Sequence, residues 1–212
     1  VAAARLCEEA GADGITAHLR EDRRHIQDAD VEAMLRTLRK PFNLEMACTE
    51  EMLGIAERLK PHQVTLVPEK REEITTEGGL DVTREPELLG AAIARLKRAG
   101  IRTSLFIDPV PMIVERSARL GADAIELHTG TYAHHPDDPR AIGALRDGAR
   151  LAASLRLAVH AGHGLTTKNV GAVAAIPEVE ELNIGHSIVA NAVFDGLAAS
   201  LQAMRRAMDA SR

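Results

Sequence analysis

Short apolar runs alternate with longer amphipathic ones along almost the whole chain. Period-two or continuous apolar runs predict strands over 14–19, 43–47, 63–68, 101–108, 124–130, 157–162 and 180–186. Patterns with a period near 3.6 predict helices over 1–10, 30–40, 50–60, 85–99, 110–120, 139–156, 167–176 and 188–210. Strictly alternating strands and helices imply βαβ units and a parallel sheet. A weak internal repeat agrees: Ala10-Gly11-Ala12-Asp13 and Leu120-Gly121-Ala122-Asp123 each place a glycine where a helix closes just before a strand. The pattern opens inside a helix, so one βα unit lacks its strand. An eight-stranded barrel has a vacancy only ahead of Val1, and the expectation is a single βα-barrel domain over 1–212 that is N-terminally incomplete.

The two faces of the strands separate a closed barrel from an open doubly wound sheet. Strands covered by helices on both faces read as continuous apolar runs. Here one face is apolar: Ile15, Ala17 and Leu19; Leu44 and Met46; Val64 and Leu66; Leu105 and Ile107; Ile125 and Leu127. The other carries Thr16, His18 and Arg20; Asn43 and Glu45; Thr65; Ser104 and Asp108; Glu126 and His128. Helices can cover only the apolar face, so the polar one should line a barrel interior.

Composition narrows the function classes. The chain has 212 residues, enough for one core of barrel size, with 27% charged residues and a formal net charge of -5. No basic stripe stands out and aromatics are 2%, which argues against a nucleic-acid surface. No apolar stretch is long enough for a membrane span. Cys7 and Cys48 are too few for a disulfide framework and suit a reducing compartment.

In βα-barrels the chemistry sits at the C-terminal ends of the strands. Those ends carry His18 and Arg20, Glu45, His128, His163 and Gly185-His186. One histidine there would be an ordinary core residue. Four on separate strands, with a carboxylate on a fifth, are costly to bury without a purpose. Imidazoles and a tuned carboxylate suit proton transfer around carbonyls: condensation, enolisation, dehydration. Two segments could hold phosphate. Ala161–Thr166 and Asn183–Ser187 follow what would be the seventh and eighth strands, where backbone N–H groups and a helix N-terminus bind anions. Arg20–His25 could clamp an anion, or be a solvated loop with internal ion pairs. The polar segment 68–80, ending near Gly78-Gly79, reads as a lid over the site. His62, His134 and His135 look like surface residues, and the helix from Ile188 onward, with Val193, Leu197, Leu201 and Met204, like a cover for the core or a joint between subunits.

Several long motifs closely resemble the pyridoxine 5'-phosphate synthase family. They are His18–His25, Asn43–Ala47, Val67–Arg71, Thr75–Val82, Ala161–Leu165 and Glu181–His186, which occur in order over essentially the whole chain. The resemblance implies a TIM (β/α)8 barrel with extra helices, assembled as a homo-octamer and using no metal or organic cofactor. It implies condensation of 3-amino-2-oxopropyl phosphate with 1-deoxy-D-xylulose 5-phosphate to pyridoxine 5'-phosphate, phosphate and water. His18 and Glu45 match the family's proton acceptors and His163 its proton donor. Arg20, His25 and Thr75 match residues holding the deoxyxylulose phosphate; Gly164, Gly185 and His186 match those holding the amino-ketone phosphate. His160 departs from the family's Asn. Two other readings compete: a metal-dependent barrel hydrolase with His18, Glu45, His128, His163 and His186 as ligands, and an inactive truncated barrel serving as a binding subunit.

Overall fold

The computed structural model describes residues 1–69 and 78–211. Its elements run α1 (Ala2–Glu9), β1 (Ile15–His18), α2 (Asp28–Thr37), β2 (Phe42–Met46), α3 (Glu50–Leu59), β3 (Gln63–Leu66), α4 (Pro86–Arg98), β4 (Arg102–Ile107), α5 (Pro111–Arg119), β5 (Ala124–His128), α6 (Gly130–His134), α7 (Pro139–Ser154), β6 (Ala158–Gly162), α8 (Val170–Ala174), β7 (Val179–Asn183), α9 (His186–Asp195) and α10 (Leu197–Asp209). Local chemistry sets many of the boundaries. Thr49 caps α3, accepting from the Met52 N–H, with Glu50 and Glu51 in its first turn. Gln27 and Asp30 form a capping box on α2, and Pro86, Pro111 and Pro139 open α4, α5 and α7. Gly11 (φ 108°) and Gly121 (φ 88°) close α1 and α5 in the left-handed region, as the repeat suggested.

The described strands form one seven-stranded parallel sheet in the order β1-β2-β3-β4-β5-β6-β7, each strand paired with its neighbours in sequence. The apolar face of its inner strands is fully buried: Leu44, Met46, Val64, Leu66, Leu105, Ile107, Ile125 and Leu127 are all 0% exposed, packed under Met52, Ile93, Leu96, Val114 and Leu145 of the helices. The opposite face is polar and hydrogen-bonded to itself. Thr65 Oγ1 donates to Asn43 Oδ1 (3.0 Å), Asn43 Nδ2 to Thr16 Oγ1 (3.3 Å), Thr16 Oγ1 to Asn183 Oδ1 (2.8 Å) and Asn183 Nδ2 to Glu126 Oε2 (2.8 Å). Thr16 and Asn183 belong to β1 and β7, the two ends of the strand order, so the sheet has curled far enough for its end strands to share a hydrogen bond. This is a TIM-like half-barrel with helices outside and a polar inside.

The sheet ends differ from its middle. The residues of β1 are all half-buried, and Glu180 and Glu181 of β7 are exposed. The helix expected over 188–210 is two helices, because Gly196 takes φ 80°, ψ 150° between α9 and α10. The second buries Ser200, Leu201 and Met204, and the first packs Ile188 against the core. Val193, expected to pack inward, is 79% exposed, beside Val189 and Phe194 at 62% and 87%. A short helix, α6, occupies part of what read as a surface turn. It buries Tyr132, whose hydroxyl donates to the Asn169 carbonyl (2.7 Å), and leaves His134 and His135 exposed.

Candidate active site

The C-terminal ends of the strands gather two groups of titratable side chains around a carboxylate pair, Glu126 buried and Glu45 half-buried. The first lies at the ends of β1 and β3. His18, the last residue of β1, places Nε2 3.4 Å from Oε2 of Glu69, and Arg20 Nε lies 3.6 Å from Glu69 Oε1. The Glu21 N–H donates to the same carboxylate (2.9 Å), whose side chain is only 2% exposed. Burial lowers the His18 pKa below its ordinary value, and the Glu69 charge opposes that without reversing it. Arg20 is buried. Its neighbours turn away into ion pairs, Arg23 with Asp28 (2.9 Å) and Glu51 (2.5 Å), and Arg24 with Asp22 (2.5 Å). His25 is exposed on the same loop, close enough for its charge to disfavour protonation of His18.

The second group closes the ends of β4, β5 and β6. Asp108 Oδ1 lies 2.9 Å from His128 Nδ1, and the His128 ring packs edge-on against His163, with centroids 4.9 Å apart. Phe106 flanks both imidazoles, at 5.2 Å and 6.4 Å. His163 itself sits at φ 86°, which few side-chain-bearing residues adopt. The turn is held by Thr129, whose Oγ1 donates to the Gly162 carbonyl (2.7 Å) and to the His163 carbonyl.

Between the groups lie Glu45 and Glu126. Glu45 is the register partner of His18, and loss of water raises its pKa to about 7. Glu126 is pushed well above the usual carboxylate range, first by burial and then by the charge of Glu45; the hydrogen bond from Asn183 offsets only part of this. Two carboxyls whose charged forms the surroundings disfavour to different degrees can divide donor and acceptor roles. Below them, burial lowers the His160 pKa to about 4, with Nδ1 3.8 Å from Glu181. Among the described residues, no group of three or more His, Cys, Asp and Glu side chains is arranged to hold a metal ion.

Two of the anion-binding candidates follow β6 and β7. Gly164 (φ 75°) follows His163, and a Cβ there would come within 2.7 Å of Ala133 Cβ. Gly185 and His186 open α9, whose first-turn N–H groups lack helical acceptors. Ser187 Oγ donates to the Leu165 carbonyl (2.6 Å), tying the helix start to the Gly164 loop. Thr75 and most of the expected lid, residues 70–77, lie outside the described residues. The flanking Gly79 is described, and a Cβ there would fall 2.2 Å from the Asp108 backbone nitrogen. Gly79→Ala should therefore lower unfolding free energy by about 2–3 kcal/mol in urea titrations; an unchanged midpoint would show that this backbone can yield.

A sequence profile for the family described as "Pyridoxal phosphate biosynthesis protein PdxJ" matches residues 1–210. The chain belongs to the PdxJ family. Curated PdxJ relatives include a protein of Roseobacter denitrificans, 55% identical over 99% of this chain and 87% of its own, and one of Caulobacter sp., 54% identical over 100% and 88%. Both are named pyridoxine 5'-phosphate synthase. Solved structures similar in shape include "Native KDPGal structure" (TM-score 0.69, 14% identity, covering 99% of this chain and 88% of that one). Another is phosphoribosyl anthranilate isomerase from Thermus thermophilus (TM-score 0.63, 18% identity, covering 99% and 94%). These distant likenesses show a shared fold. The expectation of a PdxJ-type barrel enzyme is met.

Sequence reasoning left three features of this PdxJ site unassigned. Asp108 and Glu126 were placed on the polar face by alternation alone, with no partner to give them work. Glu69 looked like the start of a lid; its position directly after a strand end was the available signal. Phe106 shares the interior face with Ser104 and Asp108, an apolar residue in a polar register.

Proposed function

We propose that this chain is a pyridoxine 5'-phosphate synthase. It condenses 3-amino-2-oxopropyl phosphate with 1-deoxy-D-xylulose 5-phosphate and releases pyridoxine 5'-phosphate, inorganic phosphate and water. The observation that carries the reading is the whole-chain PdxJ match, with relatives of that name at 55% and 54% identity. The strand-end chemistry supports it. Attack of the amine on a ketone, dehydration and ring closure all move protons next to carbonyl carbons. A carboxyl titrating at about 7 and an imidazole that burial keeps unprotonated are suited to accept them.

In this reading Glu45 and His18 are proton acceptors and His163 is the donor. Arg20, His25 and Thr75 hold the deoxyxylulose phosphate. Gly164, Gly185 and His186 hold the amino-ketone phosphate, where the loop after β6 meets the N-terminus of α9. The charge of Glu45 disfavours ionisation of Glu126. No metal or organic cofactor takes part. Self-association, as an octamer, and a cytoplasmic location belong to the same proposal; the apolar residues exposed on α9 support the former. Among the described residues no helix is long and apolar enough to cross a membrane.

The test is to supply the purified protein with both phosphorylated substrates and follow pyridoxine 5'-phosphate by mass. Product at the expected mass, dependent on both substrates, is the expected result. A folded protein that forms none refutes the assignment, and stoichiometric zinc in active protein would favour the metal-dependent hydrolase instead.

A further inference from the structure

We infer that Asp108 and His128 act as one positioning unit for His163, fixing the imidazole from which the proton is donated. The inference rests on the role given to His163 above and adds two residues to that site.

Hydrogen bonding defines the unit. The Asp108 carboxyl is held below its usual range, first by the bond to His128 and also by the Gly79 backbone N–H, so it is an ionised acceptor. The 2.9 Å contact with His128 Nδ1 must then be an N–H donated to the carboxylate, which fixes the orientation of the ring. His128 Nε2 points the other way, buried and without a hydrogen-bond partner among the described residues. It lies over Gly130, where a Cβ would come within 2.5 Å of it. The Asp108 carboxylate and the Phe106 ring thus restrain the His128 imidazole, in room that the glycine at 130 leaves for it.

That ring is what His163 leans on. The two imidazoles meet edge to face at 4.9 Å. His163 also has left-handed backbone, so its side chain leaves the turn at an angle set by φ 86° and is met there by His128. A histidine side chain has several staggered rotamers to choose among. Packing against a ring that is itself hydrogen-bonded to a carboxylate limits those choices, as an aspartate orients a catalytic histidine elsewhere. Asp108 and His128 touch no reacting atom in this account; they act through His163.

The experiment compares Asp108→Asn, His128→Gln, the double variant and Gly130→Ala, each checked for folding by thermal melt. In wild-type protein, side-chain nitrogen NMR should show His128 carrying its proton on Nδ1. The His163 ring resonances should shift and broaden in all four variants. In turnover assays each single variant should lose roughly 10–100-fold in kcat with both KM values within about threefold. The double variant should lose no more than the worse single one, because the pair works as a unit. Gly130→Ala displaces the ring without removing a titratable group, so it separates positioning from lost acid–base capacity. Unchanged His163 resonances in Asp108→Asn and His128→Gln would overturn the inference, whether or not the protein makes pyridoxine 5'-phosphate. So would kcat within twofold of wild type, or losses that add in the double variant. Absence of product from wild-type protein counts against the proposed function alone, since the NMR arm still decides the positioning.

Discussion

Glu45→Gln should give a protein that is more stable than wild type at pH 8 and slower by a factor of about 100–10,000 in kcat. Both effects have one cause. In the folded protein the Glu45 carboxyl titrates at about 7, against 4.5 in the open chain, because burial disfavours its charged form. A raised pKa means that the stabilising contribution is fully present below pH 4.5. It is lost as pH rises through about 7, where the folded state must ionise a poorly solvated group. Glutamine never ionises, so the variant escapes that loss. Discounting for partial exposure, the gain is about 2–3 kcal/mol at pH 8 and close to zero at pH 4. Unfolding titrations at the two pH values check the sign. Equal stabilities at pH 8 would show that water reaches Glu45 freely, and unchanged turnover would remove it from the proton-transfer role.

The second large effect concerns His163. Replacing it by Ala or Gly should reduce kcat by about 100–10,000-fold, since either change removes the proton donor. The two should differ in stability. At φ 86° a Cβ is strained and glycine is not, so His163→Gly should exceed His163→Ala by about 1 kcal/mol in unfolding free energy. If alanine proves as stable as glycine there, the turn relaxes and the strain is absent from the protein in solution. If glycine retains turnover, the donor is another group, with His128 the nearest imidazole.

Much of this architecture was legible in the chain. Alternation of apolar and polar residues located the seven strands to within a few residues and sorted their faces, because a half-covered strand must write its burial into every second position. Gly11 and Gly121 marked helix ends because left-handed backbone selects glycine. What escaped was non-local or rule-breaking. The short α6 has too few residues to show a period, and its burial rests on Tyr132 reaching Asn169. Gly196 lies inside an otherwise unbroken helical pattern, so the break between α9 and α10 was invisible until its φ and ψ were known. Among the candidate site residues, sequence supplied the individual groups but not their pairings. Nothing in the order of residues says that Glu69 meets His18, since one follows β3 and the other ends β1. Asp108 meets His128 one step beyond the β4–β5 pair Ile107 and Leu127, a register that alternation alone does not fix. The arginine cluster shows the same limit: Arg20 turns inward, while Arg23 and Arg24 are taken up by nearby carboxylates.

The two-faced strands carry a consequence for how such a chain can change over generations. Residues such as Leu44, Met46, Leu105 and Leu127 hold the helices on, while Asn43, Glu45, Phe106 and Glu126, one position away on the same strands, line the interior. Neighbouring codons therefore answer to different demands. A substitution inside the barrel can alter what the molecule does without loosening the helical shell. The reverse also holds: the shell can drift among aliphatic side chains of similar volume while the interior stays fixed. Inheritance of the scaffold and invention of new chemistry can proceed along the same strand, on alternate residues.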